Sequence, residues 1–229
     1  MKNAMESKYA YSFFRVSKTD NIHVSARKYR DLRLRALKTS PDSFASTYEI
    51  EAAFSDADWI NQLMVSDREV FICAASPSDA NTRDPDSVEW VGQVSVRGPI
   101  SQENFTLPEE SGQAKPKPDA EEERWQILSL FTLPEHRGNG LGGKLCLEAL
   151  DYLQAYRPVP SIHVRLMVKP DNHVTVKLYE RLGFSTVGKC TLAEALRANG
   201  DGHLLPSDTS AAKYSSRMGL IMSREIHRS

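Results

Sequence analysis

The sequence predicts a single α/β domain, and three observations predict it. The chain has 229 residues, 40% of them hydrophobic, which is enough to bury one core. Near its middle an apolar strand at residues 128–131 runs through a basic glycine-rich turn straight into an amphipathic helix. Further on, the alternating strand 162–168 leads through Lys169-Pro170-Asp171-Asn172 into a helical run that closes at Leu182-Gly183-Phe184. No internal repeat appears.

Taken in order, residues 11–16 read as a first strand. Residues 25–38 read as a basic helix with Tyr29, Leu32, Ala36 and Leu37 on its apolar face and most of its charges solvated. Residues 41–47 read as a turn. Ser55 offers an N-cap, with Asp56 and Asp58 in the first turn, for a second helix carrying Trp59 and Leu63. Strands follow at 70–75 and 88–96, joined by a polar loop. Residues 98–124 hold four prolines, the run Glu121-Glu122-Glu123 and few apolar residues, and are expected to form a mobile loop with a solubilising charge run. Residues 190–217 form a second insertion before a last strand at 219–226.

Composition narrows the function. A formal net charge of -1 argues against nucleic acid as partner, since such binding needs a dense basic surface. No apolar run approaches the length of a membrane span, and no secretory leader is read at the start. Cys73, Cys146 and Cys190 lie in no metal spacing and read as reduced core thiols, so the expected location is cytoplasmic or nuclear. His136, His163 and His173 make no metal-ligand spacing either, and no metal is expected.

The glycine turn carries the chemistry. Glycines let backbone approach a bulky anion, and the helix behind them aims free N–H groups and the positive end of its dipole at it. Gly138, Gly140 and Gly143 form a G-x-G-x-x-G, but six residues separate it from its strand, and no alternating strands and helices surround it to build a dinucleotide fold. Residues 138–144 also read as G-x-x-x-x-G-K, but Leu145 stands where a magnesium-binding hydroxyl belongs. The third reading, Arg137-x-x-Gly140-x-Gly142 after Pro134 and an apolar strand, accounts for more residues.

That pattern resembles the acyl-CoA pyrophosphate loop of the GCN5-related N-acetyltransferase (GNAT) superfamily. The downstream segment, V-x-x-x-N-x-x-x-x-x-L-Y-x-x-x-G-F from Val168 to Phe184, is similar to that family's second signature. The order R-L-R-A-L-K-x-x-P-D-S-F from Arg33 to Phe44 is similar to the opening of many small acetyltransferases. The resemblance implies a GNAT-like fold: a bent mixed sheet whose two central parallel strands, around Leu130 and Leu166, splay apart to admit pantetheine. The strand residues Leu130, Phe131 and Thr132 would pair with the pantetheine arm. The amides of Gly138, Asn139, Gly140, Leu141, Gly142 and Gly143 would hold the pyrophosphate, with Arg137 contacting or shaping that site. Lys144 would reach phosphate or be solvated. Asn172 would meet the CoA arm or simply cap its helix, and Tyr179 would protonate the leaving thiolate or simply fill the core beside Phe184.

The implied activity is transfer of acetyl from acetyl-CoA directly to an amine, from a small molecule or a protein. The alternative is a non-catalytic acyl-CoA sensor. Relatives often place a Glu base on the strand before the loop, and here the matching residue is Gln126, which cannot accept a proton. By the family's layout the acceptor pocket draws on the turn around Phe44 and Tyr48 and on residues 190–217, with Glu49, Glu51, Glu194, Asp201 and Asp208 suited to a cationic amine. Within 190–217 local rules conflict. Thr191 and Glu194 could make a capping box that starts a helix, whereas residues 195–200 could be a strand entering an Asn-Gly turn. The family comparison favours the hairpin.

Overall fold

The computed structural model describes residues 8–41, 44, 46–78, 88–157 and 159–228. Asp42, Ser43 and Ala45 of the expected turn, and residues 79–87 of the expected polar loop, lie outside the described residues. Seven strands make one mixed sheet: β1 (Tyr9–Arg15), β2 (Arg68–Pro77), β3 (Glu89–Arg97), β4 (Glu122–Thr132), β5 (Ser161–Val168), β6 (Ser185–Thr191) and β7 (Arg217–His227). Their spatial order is β1-β2-β3-β4-β5-β7-β6. Among the described residues only β4 and β5 run parallel, and α5 (Leu141–Tyr156) makes the crossover between them.

Two features of the central strands position everything else. The β4–β5 ladder begins at Glu122↔Ser161 and ends at Ile127↔Leu166, although β4 continues to Thr132 and β5 to Val168. On its other side β4 keeps pairing with β3, but the register shifts between Gln93↔Phe131 and Ser95↔Leu128, so β4 bulges at Ser129 and Leu130. Ser129 takes φ 57°, the left-handed region that a side chain seldom adopts. The strand is bent away from β5 where the bulge sits, and the two strands splay.

Helices cover the sheet as their periodicity dictates. Helix α5 buries Leu145, Cys146, Ala149, Leu150 and Leu153, a stripe at three- and four-residue spacing. Trp125 packs edge-on against Tyr152 and Tyr156 of this helix. Because strand side chains alternate, Gln126 points to the opposite face. Helix α1 (Ile22–Thr39) buries Tyr29, Leu32, Ala36 and Leu37. Helix α3 (Asp56–Met64) starts at a capping box between Ser55 and Asp58 and buries Trp59 and Leu63, with a short α2 (Tyr48–Ala52) before it.

The structure departs from expectation in three places. Residues 98–124, read as a loop, contain α4 (Gln102–Phe105) and a 3₁₀ turn at Glu109–Ser111, and they bury Ile100, Phe105 and Ser111. The charge run is not a solubilising surface: Glu122 and Glu123 are buried at the start of β4. Arg124 lies 3.5 Å from Glu122, while Arg228 and Arg157 reach Glu123 at 3.1 Å and 3.4 Å. The partners of Glu123 come from far along the chain, which is why a local reading misplaced it. Residues 190–217 do not open with a hairpin. Thr191 and Glu194 form the capping box, and α7 (Leu192–Asn199) follows and ends on Gly200 at φ 84°. The Asn-Gly pair is a helix C-terminus, not a hairpin turn. Two short helices complete the chain order, α6 (His173–Arg181) before β6 and α8 (Ala212–Ser215) before β7.

Candidate active site

The glycine loop is held from behind. His136 is buried, shares a hydrogen bond with the Tyr11 hydroxyl at 3.1 Å, and packs at a tilt against Tyr9 with ring centroids 4.8 Å apart. Asn139 donates from Nδ2 to the carbonyls of His136 and Arg137 at 3.0 Å and 3.4 Å, closing the loop on itself. Gly138 and Gly140 take φ 85° and 71°, and a Cβ at either position would meet nothing within 4 Å. Glycine is required there by backbone conformation, and the space outside is open. Behind it α5 begins at Leu141, and a Cβ on Gly142 or Gly143 would touch only Leu178, at 3.5 Å or more, besides Leu130 at 4.0 Å from Gly142. The result is an open cradle of backbone at a 16-residue helix N-terminus. Arg137 donates from Nε to the Thr132 carbonyl at 3.0 Å and lies over Phe131, while Lys144 sits 5.9 Å from the Phe13 ring.

Both residues of the second motif sit in structural positions. Asn172 caps α6, its Oδ1 accepting from the Thr175 amide at 3.3 Å. Tyr179 is buried and packs edge-on against Phe184, with Cys146 nearby, and burial pushes its phenol well above its usual pKa. It therefore stays protonated at neutral pH.

Gln126 is fully buried and both its polar ends are engaged. Its Oε1 accepts from Arg165 Nε at 2.8 Å, and its Nε2 donates to Asn199 Oδ1 at 3.2 Å. Arg165 is also buried, donating from Nη1 to the Phe105 carbonyl at 2.7 Å and to Gln113 Oε1 at 2.9 Å, with its guanidinium 3.8 Å from the Phe105 ring centroid. Burial without a carboxylate partner lowers its pKa to about 9, which leaves it charged at neutral pH.

On the face where Gln126 points, a cavity of about 190 Å³ opens against the splay. Ile127, Leu128 and Ser129 of β4 and Met167 of β5 form its floor. Aromatic walls come from Tyr29, Phe44, Phe54 and Trp59. Its polar lining includes two guanidiniums and two carboxylates, together with Ser46, Gln62, Ser129, Asn199 and His203. Arg33 makes a bidentate pair with Glu51 at 2.9 Å and 2.7 Å and lies over Phe44. Arg68 donates to the Asn199 carbonyl at 2.9 Å and approaches Asp201 at 3.7 Å. Burial is the largest influence on Asp201 and raises its pKa, against the pull of Arg68, His203 and Arg33.

Of the residues expected around an acceptor, Phe44, Glu51 and Asp201 line this cavity; Tyr48, Glu49, Glu194 and Asp208 do not. Glu194 is spent on the α7 cap and on Arg217, at 2.7 Å. Arg33, Arg68, Asn199 and His203 were not singled out from sequence. The available signal was Arg33's place four residues after Tyr29, on the buried stripe of α1.

A further group, Glu122, His163 and Glu225, brings three ligand-type atoms within 4.8 Å of one another near the start of β4. Arg124 and the Lys117 amide already face Glu122, and Lys117 faces Glu225. These counter-charges account for the carboxylates without an ion. The three cysteines are buried and unpaired, with burial raising Cys73 and Cys190 to about 11 and Cys146 to about 12. None is a poised nucleophile. No helix among the described residues is long and apolar enough to cross a membrane.

Residues 105–184, which span Gln126, the glycine loop and Tyr179, match the Acetyltransferase (GNAT) family. No curated protein matches the chain. Among solved structures the fold is similar to Arabidopsis thaliana NAA60 in complex with a bisubstrate analogue, at TM-score 0.53 and 15% identity, covering 95% of this chain and 100% of that one. It is similar to the same plant protein in complex with acetyl-CoA, at TM-score 0.52 and 14% identity, covering 95% and 99%. It is also similar to an acetyltransferase of the GNAT family from Streptococcus pneumoniae, at TM-score 0.54 and 15% identity, covering 95% and 99%. At these identities the likeness is one of fold.

Proposed function

We propose, from a chain whose residues 105–184 match the acetyltransferase (GNAT) family, that this protein transfers acetyl from acetyl-CoA to the nitrogen of an amine. The observation that carries the reading is the splay. The β4–β5 ladder stops at Ile127↔Leu166, the glycine cradle follows on one side, and the aromatic cavity opens against the same gap. Two ligands could therefore meet there.

The residues fit acetyl-CoA. Beyond Ile127 the edge of β4 toward β5 offers backbone at Leu130, Phe131 and Thr132 that a pantetheine arm can pair as an added strand. The amides from Gly138 to Gly143 and the α5 N-terminus supply donors for a pyrophosphate. Acetyl-CoA, when bound, contributes a thioester as acyl donor. The chain's own groups do the rest. An amine with pKa near 10 is only about one part in a thousand neutral at pH 7, a deficit of roughly 4 kcal/mol. Gln126 cannot offset it, because both its polar atoms are engaged and neither is basic. Asp201 lines the cavity, is not held in a bidentate pair, and takes the ammonium proton. Tyr179, kept protonated by burial, donates a hydrogen bond to the sulfur as it leaves. Full transfer to a thiolate of ordinary pKa about 8.5 would run uphill from so weak an acid, so its contribution is the hydrogen bond.

The test has two steps. A thermal-shift titration with acetyl-CoA, CoA, ATP and NADH should show stabilisation by the CoA compounds alone, roughly 2.7 kcal/mol at a hundred times Kd. Release of CoA thiol with a panel of amines should then be acceptor-dependent. Binding without thiol release on any amine would reject catalysis, and stabilisation by ATP or NADH alone would reject the cofactor.

A further inference from the structure

The acceptor cavity is built to hold more than an amine. Its two carboxylates do not make it anionic, because two guanidiniums stand beside them: Glu51 is bound bidentately by Arg33, and Asp201 lies 3.7 Å from Arg68. Yet the guanidiniums have donors left over. Arg33 Nη1 and Arg68 Nε are both buried and without a hydrogen-bond partner among the described residues. Unmet buried donors on a charged group are costly, and a site keeps them where a ligand supplies the acceptor. Arg33 and Arg68 come from α1 and β2, far apart in sequence, and converge on one cavity.

We infer that the acceptor is a zwitterionic amine with an apolar body, of the amino-acid type, whose carboxylate meets Arg33 and Arg68 while its nitrogen faces Asp201 and the splay. The inference rests on the acetyltransfer reading and names the substrate class of that same site. A guanidinium is suited to a carboxylate by its planar fork of donors. The walls of Phe44, Phe54, Trp59 and Tyr29 suit an apolar or aromatic side chain. A polycation is disfavoured, since it would set several positive charges against two partly buried guanidiniums, with Asp201 alone of the two carboxylates outside a bidentate pair to answer them. The reaction balances: the ammonium loses one proton to Asp201, nitrogen forms a bond to the acetyl carbon as the carbon–sulfur bond breaks, and the second proton that nitrogen sheds on becoming an amide passes to the sulfur, so that CoA leaves as the thiol.

The experiment compares phenylalanine with phenethylamine, which lacks only the carboxylate, and with spermidine, by CoA thiol release. Phenylalanine should exceed phenethylamine in kcat/KM by about a hundredfold, and spermidine should be the poorest. Arg68→Gln, at a position less deeply buried than Arg33, should collapse the ratio of phenylalanine to phenethylamine to within a few-fold. Its thermal shift with acetyl-CoA, made at the other end of the site, should be retained and so report an intact fold. Equal turnover of phenylalanine and phenethylamine, or preference for spermidine, would overturn the zwitterion class and leave acetyl transfer standing. Acetyl-CoA binding with no thiol release on any of the three or on a wider amine panel would remove both.

Discussion

Gln126 accepts a hydrogen bond from Arg165 Nε at 2.8 Å, and this buried contact occupies the strand position where an acidic base would otherwise be expected. The arginine needs it, because its other acceptors are the neutral Phe105 carbonyl and Gln113. Gln126→Leu would leave a buried charged donor unmet and should cost about 2–3 kcal/mol. At roughly 2–4 °C per kcal/mol the melting temperature should fall by about 4–12 °C. Gln126→Glu should fold well, since it pairs a carboxylate with Arg165. It should not raise kcat more than about twofold, because that carboxylate is consumed by the arginine. A large gain in kcat would show that position 126 can act as a base.

Tyr179→Phe separates a catalytic hydroxyl from a core aromatic. The ring and its edge contact with Phe184 persist in the variant, and no hydrogen bond of the hydroxyl to another described residue is lost. Stability and acetyl-CoA binding should therefore stay near wild type, while kcat falls on the order of 10²-fold. An unchanged kcat in single-turnover measurements would reduce Tyr179 to packing.

How much of this was legible in the sequence follows the range of the interactions. The glycine loop, the Ser55 and Asn172 caps and the strand-to-helix order are local, set within a few residues, and the structure reproduces each. The Thr191–Glu194 capping box was equally local and correct; it was set aside for a hairpin that a family comparison favoured. Glu123 was misread as surface because its partner Arg228 lies 105 residues away. Arg33 does not stand out on a basic helix whose charges read mostly as solvated, since Glu51 and the wall of a cavity are not visible from helical spacing. The cavity draws its lining from residues as far apart as Tyr29 and Leu204, and so it was the least readable.

Gly140 tests the cradle. Alanine there must take φ 71°, which costs about 1–2 kcal/mol in the left-handed region, so a fall of roughly 2–8 °C is expected in the free protein. No steric clash adds to it, because nothing lies within 4 Å of the new Cβ. Acetyl-CoA affinity should fall further than stability, about tenfold or more, as the methyl group enters the open face of the loop. Calorimetric titration would show this. Unaltered affinity would place the pyrophosphate elsewhere.

Asp201 gives a signed pH dependence. Its folded pKa is raised above the usual 3.8 chiefly by burial, so the folded state favours the protonated acid. That contribution to stability is fully present below the unfolded pKa and is lost as pH rises through the folded value. At pH 7 the ionised carboxylate is therefore a net cost. Asp201→Asn should raise the melting temperature at pH 7 and lose that advantage as pH drops below about 4. The same variant should acetylate poorly at pH 7, and its deficit should narrow as pH rises toward the amine's own pKa and neutral amine becomes available. A deficit that stays constant from pH 7 to 10 would mean that Asp201 binds the acceptor without taking its proton.

Gly188 reports on the docking of residues 98–124. A Cβ there would overlap the Ser111 carbonyl oxygen and approach the Gln113 amide nitrogen at 3.2 Å, so the 3₁₀ turn at Glu109–Ser111 can lie on β6 only while position 188 is glycine. The obstacle is backbone and cannot rotate away. Gly188→Ala should lift the segment, at about 1–3 kcal/mol for overpacking. The effect should reach Arg165, whose Nη1 depends on Phe105 and Gln113 of the same segment. Through Gln126 and Asn199 that chain of bonds ends at the acceptor cavity. The variant should therefore expose residues 112–121 to limited proteolysis and raise the acceptor KM, with acetyl-CoA affinity little changed. Proteolysis without a KM change would confine the segment to stability, and neither effect would mean that the strand edge shifts to admit the methyl group.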